Sequence, residues 1–289
     1  MANTILVTGA TGNVGSTLVP LLAALPDCLV RAMTRDPGKH ADTFPSSVQP
    51  VAGSFEDASS LSAAMQGADT VVLMAPPGPD SVQQNRAVIH AAKECGARKI
   101  VRVSAIKAAE NGKTEGTRLH GVCDTLLQDS GLTHTILRPN YFMQNILMSL
   151  ESINADDCFY AGMGDGRLAM IDIRDVADSV VATIKTGQFD GQVLEISGPE
   201  SISFGDMATV LSELTGRPIS YIAISPDDVK ASLLQIGFTE WMGNLLKEYS
   251  QAYSEGWGDL VTDNVERLTG HRPRSFRQYA LECLAPLLN

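Results

Sequence analysis

The sequence predicts a doubly wound α/β fold, a parallel sheet with helices on both faces, joined to a smaller, mainly helical C-terminal lobe. Three observations predict it. Short apolar runs rich in β-branched residues recur through the first half of the chain. These runs are near-continuously apolar instead of alternating, which is what a strand covered on both faces requires. Helix-length segments separate them, and alternation of this kind gives a parallel sheet with right-handed crossovers.

Taken in order, strands are expected over residues 4–8, 29–34, 48–52, 70–75, 99–104 and 134–138. Helices are expected over 14–25, 58–65, 81–95 and 115–128, where apolar residues recur at three- and four-residue spacing and Gly67, Gly96 and Gly131 punctuate the ends. Past residue 150 the rhythm changes. Residues 168–173 and 192–196 still read as strands, with a helix over 174–185 between them. From Phe204 onward the chain reads as helical, over 204–215, 226–236, 241–255, 264–269 and 275–284. The expected organisation is a main domain over 1–150, to which the stretch 168–197 returns, and a smaller lobe over 151–289.

A chain of 289 residues with 44% hydrophobic and 19% charged content, and no linker-length Pro, Gly or Ser tract, can fold throughout. Met1-Ala2-Asn3 runs directly into Ile5-Leu6-Val7 without the basic flank and apolar length of a signal peptide. No segment is apolar for long enough to span a bilayer, so no membrane partner is expected, and the cysteine usage suits a reducing, cytoplasmic setting. The five cysteines, Cys28, Cys95, Cys123, Cys158 and Cys283, are widely spaced and form no CxxC pair. That speaks against a disulfide framework and a zinc site, and no metal is expected. A net charge of −11 would repel a phosphate backbone and argues against nucleic-acid binding through a basic surface.

Gly9-Ala10-Thr11-Gly12-Asn13-Val14-Gly15 lies between the first expected strand and the first expected helix. Glycine permits the tight turn and close backbone approach, and a helix N-terminus offers free N–H groups to a pyrophosphate. In this setting the loop marks a dinucleotide site in a Rossmann-type domain. Its GxxGxxG spacing makes it one residue longer than the ordinary GxGxxG loop, and Thr11 and Asn13 can add side-chain donors. A ribose with a free 2′-hydroxyl is usually read by an acid about 20 residues beyond the loop. Here that region reads Arg31-Ala32-Met33-Thr34-Arg35-Asp36. Arg35 stands where the acid is expected, and a guanidinium there can pair with a 2′-phosphate, with Lys39 assisting. NADPH is therefore expected over NADH. A solvated Arg35, with Asp36 taking the ribose, is the alternative.

The glycine loop, Thr135-Ile136-Leu137-Arg138-Pro139-Asn140-Tyr141-Phe142-Met143-Gln144-Asn145, Ile171-Asp172-Ile173-Arg174-Asp175-Val176-Ala177-Asp178, Ile196-Ser197-Gly198-Pro199-Glu200 and Thr262-Asp263-Asn264-Val265-Glu266-Arg267-Leu268-Thr269-Gly270 carry a family resemblance. Over nearly its whole length the chain resembles the NmrA-like group of atypical short-chain dehydrogenases. The resemblance implies that Ala75, Pro76 and Pro77, Ser104 and Ala105, and Pro139, Asn140, Tyr141 and Phe142 flank the cofactor at three strand ends. Gly53-Ser54-Phe55 would lie by the adenine, although many relatives have an aspartate at the position of Ser54. Typical short-chain dehydrogenases carry a catalytic tyrosine and lysine four residues apart. Counted back from Ser130-Gly131, these positions fall on Gly116 and His120, so that pair is absent. A histidine there, followed by Asp124, suits the nicotinamide ribose.

His120 is also a candidate general acid, since its ordinary pKa lies near neutrality, or it forms a surface pair with Asp124 one turn away. Ser104 could donate to substrate or carboxamide, or simply serve a strand-end turn. Tyr141 and Phe142 could stack on the nicotinamide or line a substrate pocket, with core packing as the rival role. Lys107, Gln144 and Asn145 are open between pocket and surface. Asp172, Arg174 and Asp175 read as strand-end anchoring and N-capping, and Trp241, Met242, Tyr249, Tyr253 and Trp257 as lobe core or interface.

The expected function is an NADPH-dependent reductase that hands hydride to a hydrophobic, electron-poor small molecule of the quinone, dye, azo or enone type without the Tyr/Lys pair. Water, Tyr141, Ser104 or His120 would supply any proton. The alternative is a non-catalytic NADP(H)-binding redox sensor that regulates a protein partner. Sugar epimerase or dehydratase chemistry would require the missing tyrosine. A homodimer is admitted.

Overall fold

Six apolar runs and the helices between them alternate through the first half of the chain. The computed structural model describes residues 3–40 and 42–288. It contains β1 (Asn3–Val7), α1 (Asn13–Ala23), β2 (Cys28–Thr34), β3 (Gln49–Ala52), α2 (Ala58–Met65), β4 (Thr70–Leu73), α3 (Ser81–Glu94), β5 (Lys99–Val103), α4 (Glu115–Gln128) and β6 (Thr133–Pro139). The sheet runs β3-β2-β1-β4-β5-β6 and ends on the strand Val193–Ile196. The first six strands are parallel, with Val7 opposite both Ala32 and Val72, and Arg102 opposite Ile136. Chain order reverses between β1 and β4, the switch point at which sheets of this class bind ligands beyond their carboxyl ends.

By proximity the chain divides into two compact units. The first comprises Met1–Gly112, Thr117–Arg138 and Val176–Leu194; the second comprises Lys113–Gly116, Pro139–Asp175 and Glu195–Asn289. The second unit thus takes over at Pro139, and the helix Ile173–Thr186 enters the first unit only at Val176. In the first unit Leu6, Met33, Leu73, Val88, Ile100, Leu127 and Ile136 pack into one buried cluster. Burying such side chains contributes roughly 1.5–3 kcal/mol each against leaving them in water.

The second unit is richer in strands than its sequence suggests. Cys158–Ala161 pairs in parallel with Ser220–Ala223, and Arg167–Leu168 pairs antiparallel with Ile202–Ser203. All four strands are short, and their partners lie far along the chain, so no local period marks them. The strand expected over 168–173 is correspondingly reduced. Leu168, Ala169, Met170 and Ile171 are almost wholly buried, but only Leu168 is in a ladder and Ile171 makes a single bridge to Phe142. Apolarity there reports burial, not pairing. The helix expected over 275–284 is α-helical only over Phe276–Tyr279 and continues as a π-helical turn over Ala280–Leu284.

The remaining helices begin where their caps dictate. Ser203 and Ser225 form capping boxes with Asp206 and Asp228, and Thr239 caps Glu240–Ser254. Phe159, Phe204, Met207, Leu211, Tyr253 and Phe276 form this unit's core.

Candidate active site

The β1–α1 turn fixes the first part of the site. Gly9 has φ +60°, a left-handed backbone that glycine adopts without strain. Gly12 donates its N–H to the Gly9 carbonyl at 3.0 Å and precedes the first helical residue. A Cβ on Gly15 would lie 2.2 Å from the Gly9 oxygen, and one on Gly9 would lie 2.9 Å from the Met74 oxygen. Only hydrogen fits at either place. Thr11, Gly12 and Asn13 are exposed, Val14 is buried, and no side chain caps the helix. The free N–H groups at the start of α1 therefore meet a bare backbone cradle, which fits a pyrophosphate. Thr8, absent from the expected set, closes the base. Its hydroxyl donates to the Met74 carbonyl at 2.9 Å and accepts from the Met74 N–H, also at 2.9 Å.

Arg35 is exposed just beyond β2 and makes no hydrogen bond or ion pair among the described residues. Its charge acts on Glu56, whose pKa is lowered chiefly by a hydrogen bond from Ser54. Asp36 is engaged locally, accepting the Lys39 N–H at 3.2 Å, and the Lys39 side chain is exposed. Ser54 donates its hydroxyl to Glu56, and Phe55 packs against the first unit's core. Ala75 is half-buried and Pro76 and Pro77 are exposed in the loop after β4.

Beyond β5 the expected residues converge on a buried ionic cluster. Asp124, 1% exposed, accepts from Arg102 Nη1, from Arg138 Nε at 2.9 Å and from the Ser104 hydroxyl at 3.0 Å. Arg102 Nε donates to Asn85 Oδ1 at 3.0 Å, and its Nη2 lies 3.1 Å from His120 Nδ1. The surface pair expected between His120 and Asp124 does not form, because two arginines projecting from β5 and β6 hold the carboxylate inside. Burial first, then the charges of Arg102 and Arg138, push the His120 pKa down to about 3. The imidazole is therefore neutral at physiological pH, which corrects its candidacy as an imidazolium acid. Ser104 is also corrected as a donor, since its proton is committed to Asp124. Ala105, next to it, is half-buried. Nothing in the period of β5 or β6 marks Arg102 or Arg138 as inward-facing charges.

In the second unit Pro139 ends β6, and Asn140 is 2% exposed. The Asn140 amide donates to the Gly258 carbonyl at 2.9 Å, while its oxygen accepts the Tyr141 N–H at 2.8 Å. Tyr141 meets Tyr253 and Phe204 edge-on, with centroids 5.5 and 6.1 Å away. Burial raises its pKa to about 12, opposed by a hydrogen bond with Asn145. Phe142 bridges Ile171. Gln144 is fully engaged, donating to Asp172 at 2.9 Å and accepting the Ile173 N–H at 3.1 Å. Asp172 also accepts the Arg174 N–H and guanidinium, which is the anchoring role expected of it. Tyr249, Tyr253 and Trp257 pack on one another, as core aromatics do. A Cβ on Gly116 would lie 2.5 Å from the Tyr249 hydroxyl, so a side chain at residue 116 would have to displace Tyr249.

A parallel sheet whose first turn is a glycine-built anion cradle at the switch point defines a dinucleotide-binding protein. The chain belongs to the NAD(P)H-binding family, whose model matches residues 9–186. It is 33% identical to an NAD(P)H azoreductase of Xenophilus azovorans over 278 residues, 96% of each chain. It is 25% identical to the NADPH-dependent quinone oxidoreductase of Escherichia coli solved with NADPH, with a TM-score of 0.87 over 99% of this chain and 100% of that one. The Citrobacter triphenylmethane reductase solved with NADP(H), 20% identical, shares the fold at a TM-score of 0.84 over 95% of this chain and 97% of that one. With this family and these relatives, the chain is an NAD(P)H-dependent oxidoreductase. No helix among the described residues is long and apolar enough to cross a membrane.

Proposed function

We propose that this chain is an NADPH-dependent reductase that delivers hydride to a hydrophobic, electron-poor small molecule of the quinone, dye, azo or enone type. The observation that carries this reading is the Gly9–Gly15 cradle, where even one methyl group would collide with backbone. The N–H groups of Gly12, Asn13 and Val14, with the Thr11 and Asn13 side chains, would hold the pyrophosphate. Arg35, exposed and without a hydrogen-bond partner among the described residues, and Lys39 would take the 2′-phosphate. Ser54 and Phe55 would lie by the adenine. Ala75, Pro76, Pro77, Ser104, Ala105 and His120 would flank the nicotinamide half.

When bound, the reduced nicotinamide supplies the hydride. The protein's task is then orientation and exclusion of water. Residue 116 is a glycine beside the Tyr249 hydroxyl, and His120 is neutral, which supports a site with no strong acid among these residues. Acceptors that do not need one fit best: a cationic dye is neutralised by hydride alone, and a quinone can leave as a phenolate that water protonates. We assign substrate choice to the region 151–289, and of the residues that end and follow β6, Tyr141 is the candidate proton donor, as a neutral phenol. Pro139, Asn140 and Phe142 are its neighbours on the chain. The assays that test this follow NADPH oxidation with quinones, triphenylmethane dyes, azo dyes and enones. Turnover of at least one class is expected. Tight binding of NADPH and NADP+ with turnover of none would replace the reductase by a redox sensor.

A further inference from the structure

Arg102 sits within β5 among Ile100, Val101 and Val103, and is 2% exposed. Its guanidinium reaches Asn85 from α3 and Asp124 and the His120 ring from α4. A guanidinium has donors only, so His120 Nδ1 must be the acceptor and the single ring proton resides on Nε2. Nε2 has no hydrogen-bond partner among the described residues, and His120 remains partly exposed. Ser104 is constrained in the opposite sense. Its proton points to Asp124 Oδ2 at 3.0 Å, which leaves only oxygen lone pairs for a ligand.

We propose that Arg102 is a positioning residue that sets hydrogen-bond polarity at the nicotinamide end of the site: it holds His120 as an Nε2–H donor and, through Asp124, holds Ser104 as an acceptor. This rests on the reading that a nicotinamide coenzyme binds beyond the β5 end. A hydroxyl is the group that can accept from His120 and donate to Ser104, and the nicotinamide ribose carries such hydroxyls. The same cluster accounts for histidine in the place of lysine. Arg102 and Arg138 both act as cations on position 120, beside the buried Asp124 carboxylate. A lysine there would add a further cation beside them, whereas a neutral imidazole adds none.

The test is 15N NMR of the histidine-labelled full chain, with and without NADPH, for wild type, R102K and R102K/H120Q. Lysine keeps a charge against Asp124 but lacks the fork that reaches His120. Wild-type His120 is expected to show the Nε2–H pattern unchanged from about pH 8 down to about pH 5, and R102K a mixed tautomer titrating towards the ordinary value of about 6.5. NADPH affinity should fall about tenfold in R102K, the loss of roughly one hydrogen bond, and should acquire a pH dependence that H120Q removes. An Nδ1–H pattern in wild type, or R102K with ring pattern and NADPH affinity both unchanged, would overturn the proposal. The wild-type pattern needs no variant, so refutation stays possible even if R102K fails to fold. A wrong tautomer with tight NADPH binding sinks the positioning role alone; no NADPH binding at all sinks the coenzyme reading and this proposal's ligand with it.

Discussion

The Tyr249 hydroxyl stands 2.5 Å from the point where a Cβ on Gly116 would project, with the Leu245 Cδ1 at 3.0 Å from the same point. Gly116→Ala should therefore push Tyr249 aside, costing roughly 1–3 kcal/mol as an overpacked site does. Gly116→Tyr should cost more and should not raise turnover of any carbonyl substrate. A thermal melt read beside NADPH oxidation checks both; a G116Y protein as stable as wild type would mean that Tyr249 does not hold that space.

Gly15→Ala tests the cradle. Its Cβ would meet the Gly9 oxygen at 2.2 Å, a backbone atom that cannot swing away. Coenzyme affinity should be lost, with a stability cost of roughly 1–3 kcal/mol. Fluorescence titration with NADPH together with a urea melt separates the two losses, and retained affinity would refute the assignment of the turn.

Arg35→Ala addresses coenzyme choice. A charge-assisted contact with a 2′-phosphate contributes roughly 1.5–3 kcal/mol, so the NADPH dissociation constant should rise by about one to two orders of magnitude while that for NADH hardly moves. Equal loss for both coenzymes would place Arg35 elsewhere. Raised salt should weaken NADPH binding to wild type more than to the variant, since the contact is exposed.

The low pKa of His120 gives a stability signature. The folded protein resists protonating this ring down to about pH 3, whereas the unfolded chain takes up the proton at about pH 6.5. Its contribution is thus fully present above pH 6.5 and is lost as the pH falls from there towards 3. Urea midpoints measured across that window should drop less steeply in His120→Gln. Activity should show no limb near pH 6.5 arising from His120, and His120→Lys should melt at lower temperature, as a further cation joins Arg102 and Arg138.

Much of the first unit is legible in sequence because its signals are local. Ala58–Met65 and Glu115–Gln128 are found with the expected bounds, and the strands fall within two residues of them, since apolar runs and turn glycines lie side by side in the chain. The glycine turn is legible for the same reason. Arg102 is not: its partners Asn85, Asp124 and His120 lie 17, 22 and 18 residues away on two helices, and an isolated arginine in a strand looks like an edge charge. Nor is Tyr249, brought to Gly116 from 133 residues along the chain. In sequence Gly116 suggests only a vacated tyrosine position, with no sign that the Tyr249 hydroxyl lies against it.

The Arg102–Asp124–Arg138 cluster bears on how the sheet assembles as well as on its site. Val103 pairs with Leu137 and Arg102 with Ile136, a parallel register that apolar side chains alone would hold loosely. Sliding β5 by one residue would turn Arg102 to the opposite face and strand both its charge and that of Asp124 away from water and from each other. Mispaired chains are thus penalised by a charge imbalance, and the ionic knot serves as an error check on strand alignment during folding.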